Sequence, residues 1–237
     1  MHHVATVGSI RAGSRRVTEA GWLALRVGIG YSVAPLEVAM SYTILYFSPR
    51  GRPEPIRLTL AHAGVPFEDK FVPFDQWPAT KATLPLGQMP VLIVRDADGE
   101  RHIPQSMAIL RHLARVHGQY GKTEAEHLAA DIAADTANDL RGAFSSLRFS
   151  PAWSDEAGKA KYIEQTAPVH FARLAKLLGD RAWFAADGPT FADFVAFDAL
   201  DTHESVWPDA LGAWPTLAAF AARVRALASL KDYLARR

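Results

Sequence analysis

Apolar positions along this chain follow two spacings, and the change between them divides it. Residues 43–47 (Thr43, Ile44, Leu45, Tyr46, Phe47) form a β-branched and aromatic run of strand length. Over residues 54–63 the pattern becomes helical, with Ile56, Leu60 and Ala63 on one stripe and Gly64 placed to stop the helix. Residues 66–73 read as a second strand, with Phe67 and Phe71 among charged neighbours. Residues 75–83 form a short irregular or helical piece carrying Trp77 and Lys81. Residues 91–94 are an apolar strand, and Asp98-Gly99 is a hairpin turn leading into residues 100–103. Gln105 and Ser106 then open a helix with Met107, Leu110, Leu113 and Ala114 at helical spacing and Gly118 beyond its last turn.

The predicted order is β-α-β, a connection, then β-β-α. A right-handed parallel crossover followed by an antiparallel hairpin is the thioredoxin-like arrangement. Everything after Lys122 reads as helix. Residues 124–149 are rich in Ala and Leu, and Pro151 ends that run. Ser154 or Asp155 is placed to cap a further helix that runs to Leu178 ahead of Gly179. Thr190 followed by Asp193 is a capping box with Asp in place of Glu, leading the apolar run over residues 191–200. Trp207-Pro208 closes this helix, and Pro215 opens another that reaches Leu227. The expectation is an α/β thioredoxin-like domain over 40–121, a short polar linker, and an all-α domain over 124–237.

Residues 1–39 differ from the rest. Arg11, Arg15 and Arg16 precede a moderately apolar run, residues 21–34, that Arg26 interrupts. The run is too short and too charged to span a membrane. The segment reads as an unstructured extension, or as an upstream start ahead of Met40; an organellar targeting peptide is the alternative reading.

Composition narrows the chemistry. At 49% hydrophobic and 22% charged the chain is globular in character. Lys+Arg 26 against Asp+Glu 25 gives no electrostatic case for nucleic acid or an anionic membrane surface. Cysteine is absent, which removes a disulfide framework, a thiolate metal site and a cysteine nucleophile together. Sulfur chemistry here would have to bring its sulfur with the substrate. The histidines show no ligand spacing, and no metal is expected.

Three stretches hold candidate chemistry. Tyr46, Ser48, Arg50, Gly51, Arg52 and Pro53 place a phenol, a hydroxyl and two guanidiniums at the carboxyl end of the first strand, beside a helix start. Met89-Pro90 heads the apolar strand; an X–Pro bond there is a candidate for the cis form, with the Met89 backbone available to pair with an extended peptide. Gln105-Ser106 opens a helix whose free N–H groups and dipole suit a carboxylate. Each stretch alone also fits an ordinary turn or cap.

Taken together and in order, these stretches resemble the cytosolic glutathione transferases, with most similarity to the sigma class among the tyrosine-type classes. The resemblance rests on Tyr46-Phe47, on Arg50-Gly51-Arg52-x-Glu54-x-Ile56-Arg57, on Trp77-Pro78-x-x-Lys81, on Leu84-Pro85-x-Gly87-x-x-Pro90 and on Gln105-Ser106. Further along it rests on Asp135-x-x-x-Asp139-Leu140-Arg141 and the Thr190–Asp193 box. It covers the chain from Tyr42 onward.

The resemblance implies a homodimeric cytoplasmic detoxification enzyme that joins the glutathione thiolate to a hydrophobic electrophile. Glutathione would be a co-substrate, with no cofactor and neither nucleic acid nor membrane as partner. Tyr46 would donate a hydrogen bond to the thiolate, with Ser48 the rival activator. Arg52, Trp77 and Lys81 would face the glycyl end, with Gln88 where several relatives carry lysine. The Met89 backbone would pair with the cysteinyl residue beside cis Pro90. Gln105 and Ser106 would hold the γ-glutamyl carboxylate, and Asp139 would reach its amine from a second subunit. The electrophile pocket is expected among Ser48, Arg50, Arg141, Phe144 and Trp207. Glutathione-dependent isomerase or peroxidase activity, and a non-catalytic ligand-binding role, are the alternatives.

Overall fold

The computed structural model describes residues 40–47 and 50–237. The expectations for residues 1–39 and for Ser48 lie outside them. Strands β1 (Ser41–Tyr46), β2 (Phe67–Phe71), β3 (Val91–Asp96) and β4 (Gly99–Pro104) form a four-stranded sheet of order β2-β1-β3-β4. β1 pairs parallel with β2 and antiparallel with β3, and β3 pairs antiparallel with β4. The parallel pair is joined by helix α1 (Glu54–His62), whereas β3 and β4 need only a two-residue turn, Ala97-Asp98, one position ahead of the expected Asp98-Gly99, with Gly99 already paired to Asp96 in β4. This is the expected thioredoxin-like topology.

Strand alternation sorts the core. Tyr42 and Ile44 of β1 and Leu92 and Val94 of β3 face the main core, which continues into the helical half through Ala130, Ala134, Phe171, Phe194 and Phe197. Leu45, Val91 and Ile93 point to the other face and pack with Val72, Leu84, Trp77 and Met89. Tyr46 has the parity of Tyr42 and Ile44, so the end of β1 delivers its ring toward the helices.

Helices α2 (Trp77–Thr83) and α3 (Ser106–Val116) complete the first half. The second half contains α4 (Glu124–Arg148), α5 (Glu156–Lys161), α6 (Ala167–Leu178), α7 (Phe191–Val206), α8 (Pro215–Arg225) and α9 (Lys231–Arg236). A capping box at Thr123 and Glu126, missed in the sequence, starts α4. The single helix expected up to Leu178 is divided: α5, capped by Asp155, passes through a π-turn at Tyr162–Thr166 before α6. Pro168 is the physical reason, because it lacks the N–H that would continue the α-helical ladder. Helix α9 lies beyond the last expected helix. Among the described residues no helix is long and apolar enough to cross a membrane.

Candidate active site

The turn after β1 is built around Tyr46 and Gly51. Gly51 has φ +73°, and a Cβ there would lie 2.8 Å from Tyr46 Cε1 and 3.1 Å from the hydroxyl oxygen. Only glycine lets the backbone pass this close to the ring. The Arg52 backbone N–H donates a long contact of 3.5 Å to the Tyr46 hydroxyl oxygen. That use of the oxygen's lone pair leaves the phenolic proton to be donated outward. Replacing Gly51 with Ala is expected to cost about 1–2 kcal/mol of stability from the left-handed backbone alone. It also pushes the phenol off its position, and turnover that uses the Tyr46 hydroxyl should fall by about tenfold or more. Urea unfolding and steady-state kinetics on the variant check both.

Two guanidiniums hold the carbonyls of this turn. Arg57 Nη1 donates to the Arg50 carbonyl at 3.2 Å, and Arg141 Nη2 to the Gly51 carbonyl at 3.0 Å. Arg57 is fixed in turn by Asp69 at 2.8 Å and Glu54 at 3.3 Å, and Arg141 by Asp198 at 3.0 Å. Arg50 does not project as a free cation: its guanidinium lies 2.5 Å from Asp201 and 3.8 Å from Asp198. Arg225 and Arg237 also reach Asp201, at 2.8 and 2.6 Å, and Arg237 reaches Glu54 at 3.0 Å. Burial pushes the Asp198 carboxyl up to about 6, against the pull of Arg141 and Arg50. Burial also acts on Asp201, but Arg225, Arg237 and Arg50 outweigh it and hold that carboxyl below the usual range.

Two cavities meet at Arg52. One, of about 270 Å³, is lined by Arg52, Gln88, Met89, Pro90, Gln105 and Ser106. The Met89–Pro90 bond is cis, and Gln105 stands at φ 74°, the one non-glycine residue with positive φ among those described. Gln105 gives α3 no side-chain cap and donates instead to Gln88 Oε1 at 3.3 Å. The first N–H groups of α3 are therefore left for another acceptor. The second cavity, of about 310 Å³, has Tyr46, Arg50, Arg52, Arg141 and Phe144 in its walls. Arg52 borders both cavities.

The remaining expected residues are more dispersed. Trp77 and Lys81 sit on α2 and line neither cavity; Trp77 packs edge-on to Phe47 at 5.2 Å. Asp139 is exposed on α4. Trp207 is not in the wall of the second cavity. It stacks on Tyr162 at 5.7 Å and meets the cavity residue Phe144 edge-on at 6.2 Å. Trp153, Arg148, Phe149 and His203 line that cavity and were missed, since no local pattern brings them to Tyr46.

His203 shows how firmly the cavity floor is set. It is fully buried, its Nδ1 lies 2.7 Å from the Ala199 carbonyl and its Nε2 2.8 Å from the Tyr162 hydroxyl. A carbonyl only accepts, so Nδ1 carries the proton and Nε2 accepts from Tyr162. Burial pushes the imidazole down to about 4 from an ordinary 6.5. The unfolded chain then binds this proton first as pH falls, so the stability His203 contributes is lost between pH 6.5 and 4. Between pH 7 and 5 the protein should lose about 2 kcal/mol relative to its His203→Gln variant in urea titrations. The raised carboxyls of Asp193 and Asp198 act in the opposite sense over this range, and the paired comparison cancels them.

Residues 42–115 match the family described as glutathione S-transferase, N-terminal domain, and residues 138–237 match glutathione S-transferase, C-terminal domain. A glutathione S-transferase P of Caenorhabditis elegans is 35% identical over 202 residues, which cover 84% of this chain and 94% of that protein. Among solved structures, the sigma-class enzyme of Fasciola hepatica superposes with a TM-score of 0.76 at 32% identity, covering 84% of this chain and 97% of the other. The Pi-class enzyme of Onchocerca volvulus gives 0.76 at 33% identity, with 83% and 93% covered. Family matches in both halves, over the residues that build the two cavities, identify this chain as a member of the glutathione S-transferase family.

Proposed function

We propose that this chain transfers glutathione to electrophilic small molecules, with glutathione in the cavity beside Gln105-Ser106 and the acceptor in the cavity beside Phe144. The observation that carries this reading is the shared wall: Arg52 borders both cavities, and its backbone N–H meets the Tyr46 hydroxyl. A thiol bound across that wall meets the Tyr46 proton on one side and the acceptor on the other.

The free thiol, of ordinary pKa about 8.5, is only a few per cent ionised at neutral pH. The Tyr46 phenol donates a hydrogen bond to the thiolate, and Arg52, with no carboxylate partner among the described residues, adds favourable field. The engagement of Arg50 with Asp201 supports Arg52 over Arg50 for that role. The Met89 backbone pairs with the cysteinyl residue. Ser106 and the first N–H groups of α3 receive the γ-glutamyl carboxylate, and Arg52, Gln88, Trp77 and Lys81 surround the glycyl end.

The working form is a homodimer in the cytoplasm, where reduced glutathione is abundant. Asp139 shares a helical stripe with Leu128 and Ile132, which are 59% and 46% exposed on α4. That stripe suits a second subunit, from which Asp139 would reach the glutathione amine. Asp139→Ala should weaken glutathione binding by about tenfold, since a charge-assisted hydrogen bond is lost; equal affinity in calorimetry removes the role. The whole reading is tested with purified protein, glutathione, 1-chloro-2,4-dinitrobenzene and an organic hydroperoxide. Conjugation is expected, and absence of turnover with every acceptor would leave a ligand carrier.

A further inference from the structure

The acceptor cavity is strongly biased in charge. Its walls hold four arginines and one aspartate: Arg50, Arg52, Arg141, Arg148 and Asp198. Asp198 offsets Arg141 at 3.0 Å, and Asp201 offsets Arg50 at 2.5 Å. Arg52 belongs to the thiol end. Arg148 is left. It pairs with no carboxylate among the described residues, and its guanidinium lies over the Trp153 ring at 4.8 Å from the centroid.

Position matters as much as charge. Arg148 follows Arg141 by two helical turns on α4, so it lies about 10 Å along the helix from the residue that holds the Gly51 carbonyl beside Tyr46. Phe144 lies between them on α4, Trp153 and the largely exposed Phe149 stand at the Arg148 end, and His203 adds a neutral ring to the lining. A guanidinium stacked on an indole keeps its in-plane donors free for a planar anion. Resting on the reading above, we propose that the preferred acceptors are planar aromatic electrophiles bearing a carboxylate, with Arg148 binding the carboxylate and the reacting carbon held at the Tyr46 end.

Matched acceptors test this: 4-chloro-3,5-dinitrobenzoate and its methyl ester. In both, the glutathione sulfur bonds to the ring carbon, the C–Cl bond breaks with the electron pair leaving on chloride, and the thiol proton passes to solvent. Each kcat/KM is divided by the uncatalysed rate constant with glutathione, and the acid-to-ester ratio is taken within each protein. The ratio should favour the acid by about tenfold in the natural protein, the scale of one charge-assisted hydrogen bond. It should fall to near one in Arg148→Gln and recover in part in Arg148→Lys. A ratio near one in the natural protein, or one unchanged by Arg148→Gln, overturns the proposal. Absent turnover of 1-chloro-2,4-dinitrobenzene, the acid and the ester alike would fault the transferase reading instead. Equilibrium dialysis of the acid and the ester then decides the anion preference, and equal affinities would overturn it.

Discussion

Tyr46→Phe should lower kcat/KM with 1-chloro-2,4-dinitrobenzene by about a hundredfold, the usual cost of removing one preorganised donor to a reacting anion. The substitution is a clean one here. The ring keeps its contact with Phe47 at 5.5 Å and its place against Gly51, so only the hydroxyl is lost. Lowering a thiol by about two pKa units requires about 2.7 kcal/mol of preference for the anion. A hydrogen bond to a charged group supplies about 1.5–3 kcal/mol, so in the proposed reaction the phenol would be the largest single contributor. The apparent pKa of bound glutathione, read from thiolate absorbance, should therefore return most of the way to its free value while affinity for the tripeptide is retained. An unchanged thiol pKa in the variant would assign ionisation to another group, with Arg52 the next to test.

Asp193→Ala is expected to give the largest loss of stability among changes away from the cavities. The Asp193 carboxylate is fully buried and accepts from the Phe184 N–H at 2.9 Å, the Thr190 N–H at 2.7 Å and the Thr190 hydroxyl at 2.8 Å. Alanine leaves these buried donors unmet at the start of α7, a helix whose face packs Phe191, Phe194 and Phe197 into the core. The cost should be about 3–5 kcal/mol. For a chain of this size that lowers the melting temperature by about 10 °C. Asp193→Asn, which retains one carbonyl oxygen, should recover part of the loss, and a drop of only 1–2 °C for alanine would show that the cap is dispensable.

What was readable in the sequence followed from local rules. Strand and helix order came from the switch between the two spacings, and the cap at Thr190 came from two residues three apart. Met89-Pro90 and Gln105-Ser106 were visible as a proline-headed strand and a polar helix start. The acceptor cavity was less readable because its walls come from distant turns of the chain. Trp207 was expected there on its place near the end of α7, yet it packs against Tyr162, while Trp153 enters the wall from a short helical turn after α4. Arg50 and Arg52 look equivalent in sequence. Only the approach of Asp201, 151 positions away, separates an arginine held in an ion pair from one that borders both cavities.

The arginine–carboxylate lattice around Asp198 and Asp201 also bears on how the two halves are related. Arg50, Glu54 and Arg57 come from one half, and Arg141, Asp198, Asp201, Arg225 and Arg237 from the other. Where one partner of a pair is replaced while the seam stays closed, the other is left as a buried, uncompensated charge, at a cost of about 3–5 kcal/mol. The halves are thus poor modules. A chimera that takes its first half from one relative and its second from another must carry Arg50, Glu54, Arg141, Asp198 and Asp201 as a set. Exchange of acceptor specificity between relatives is better sought in Arg148, Phe149 and Trp153, which line the cavity and take no part in the seam.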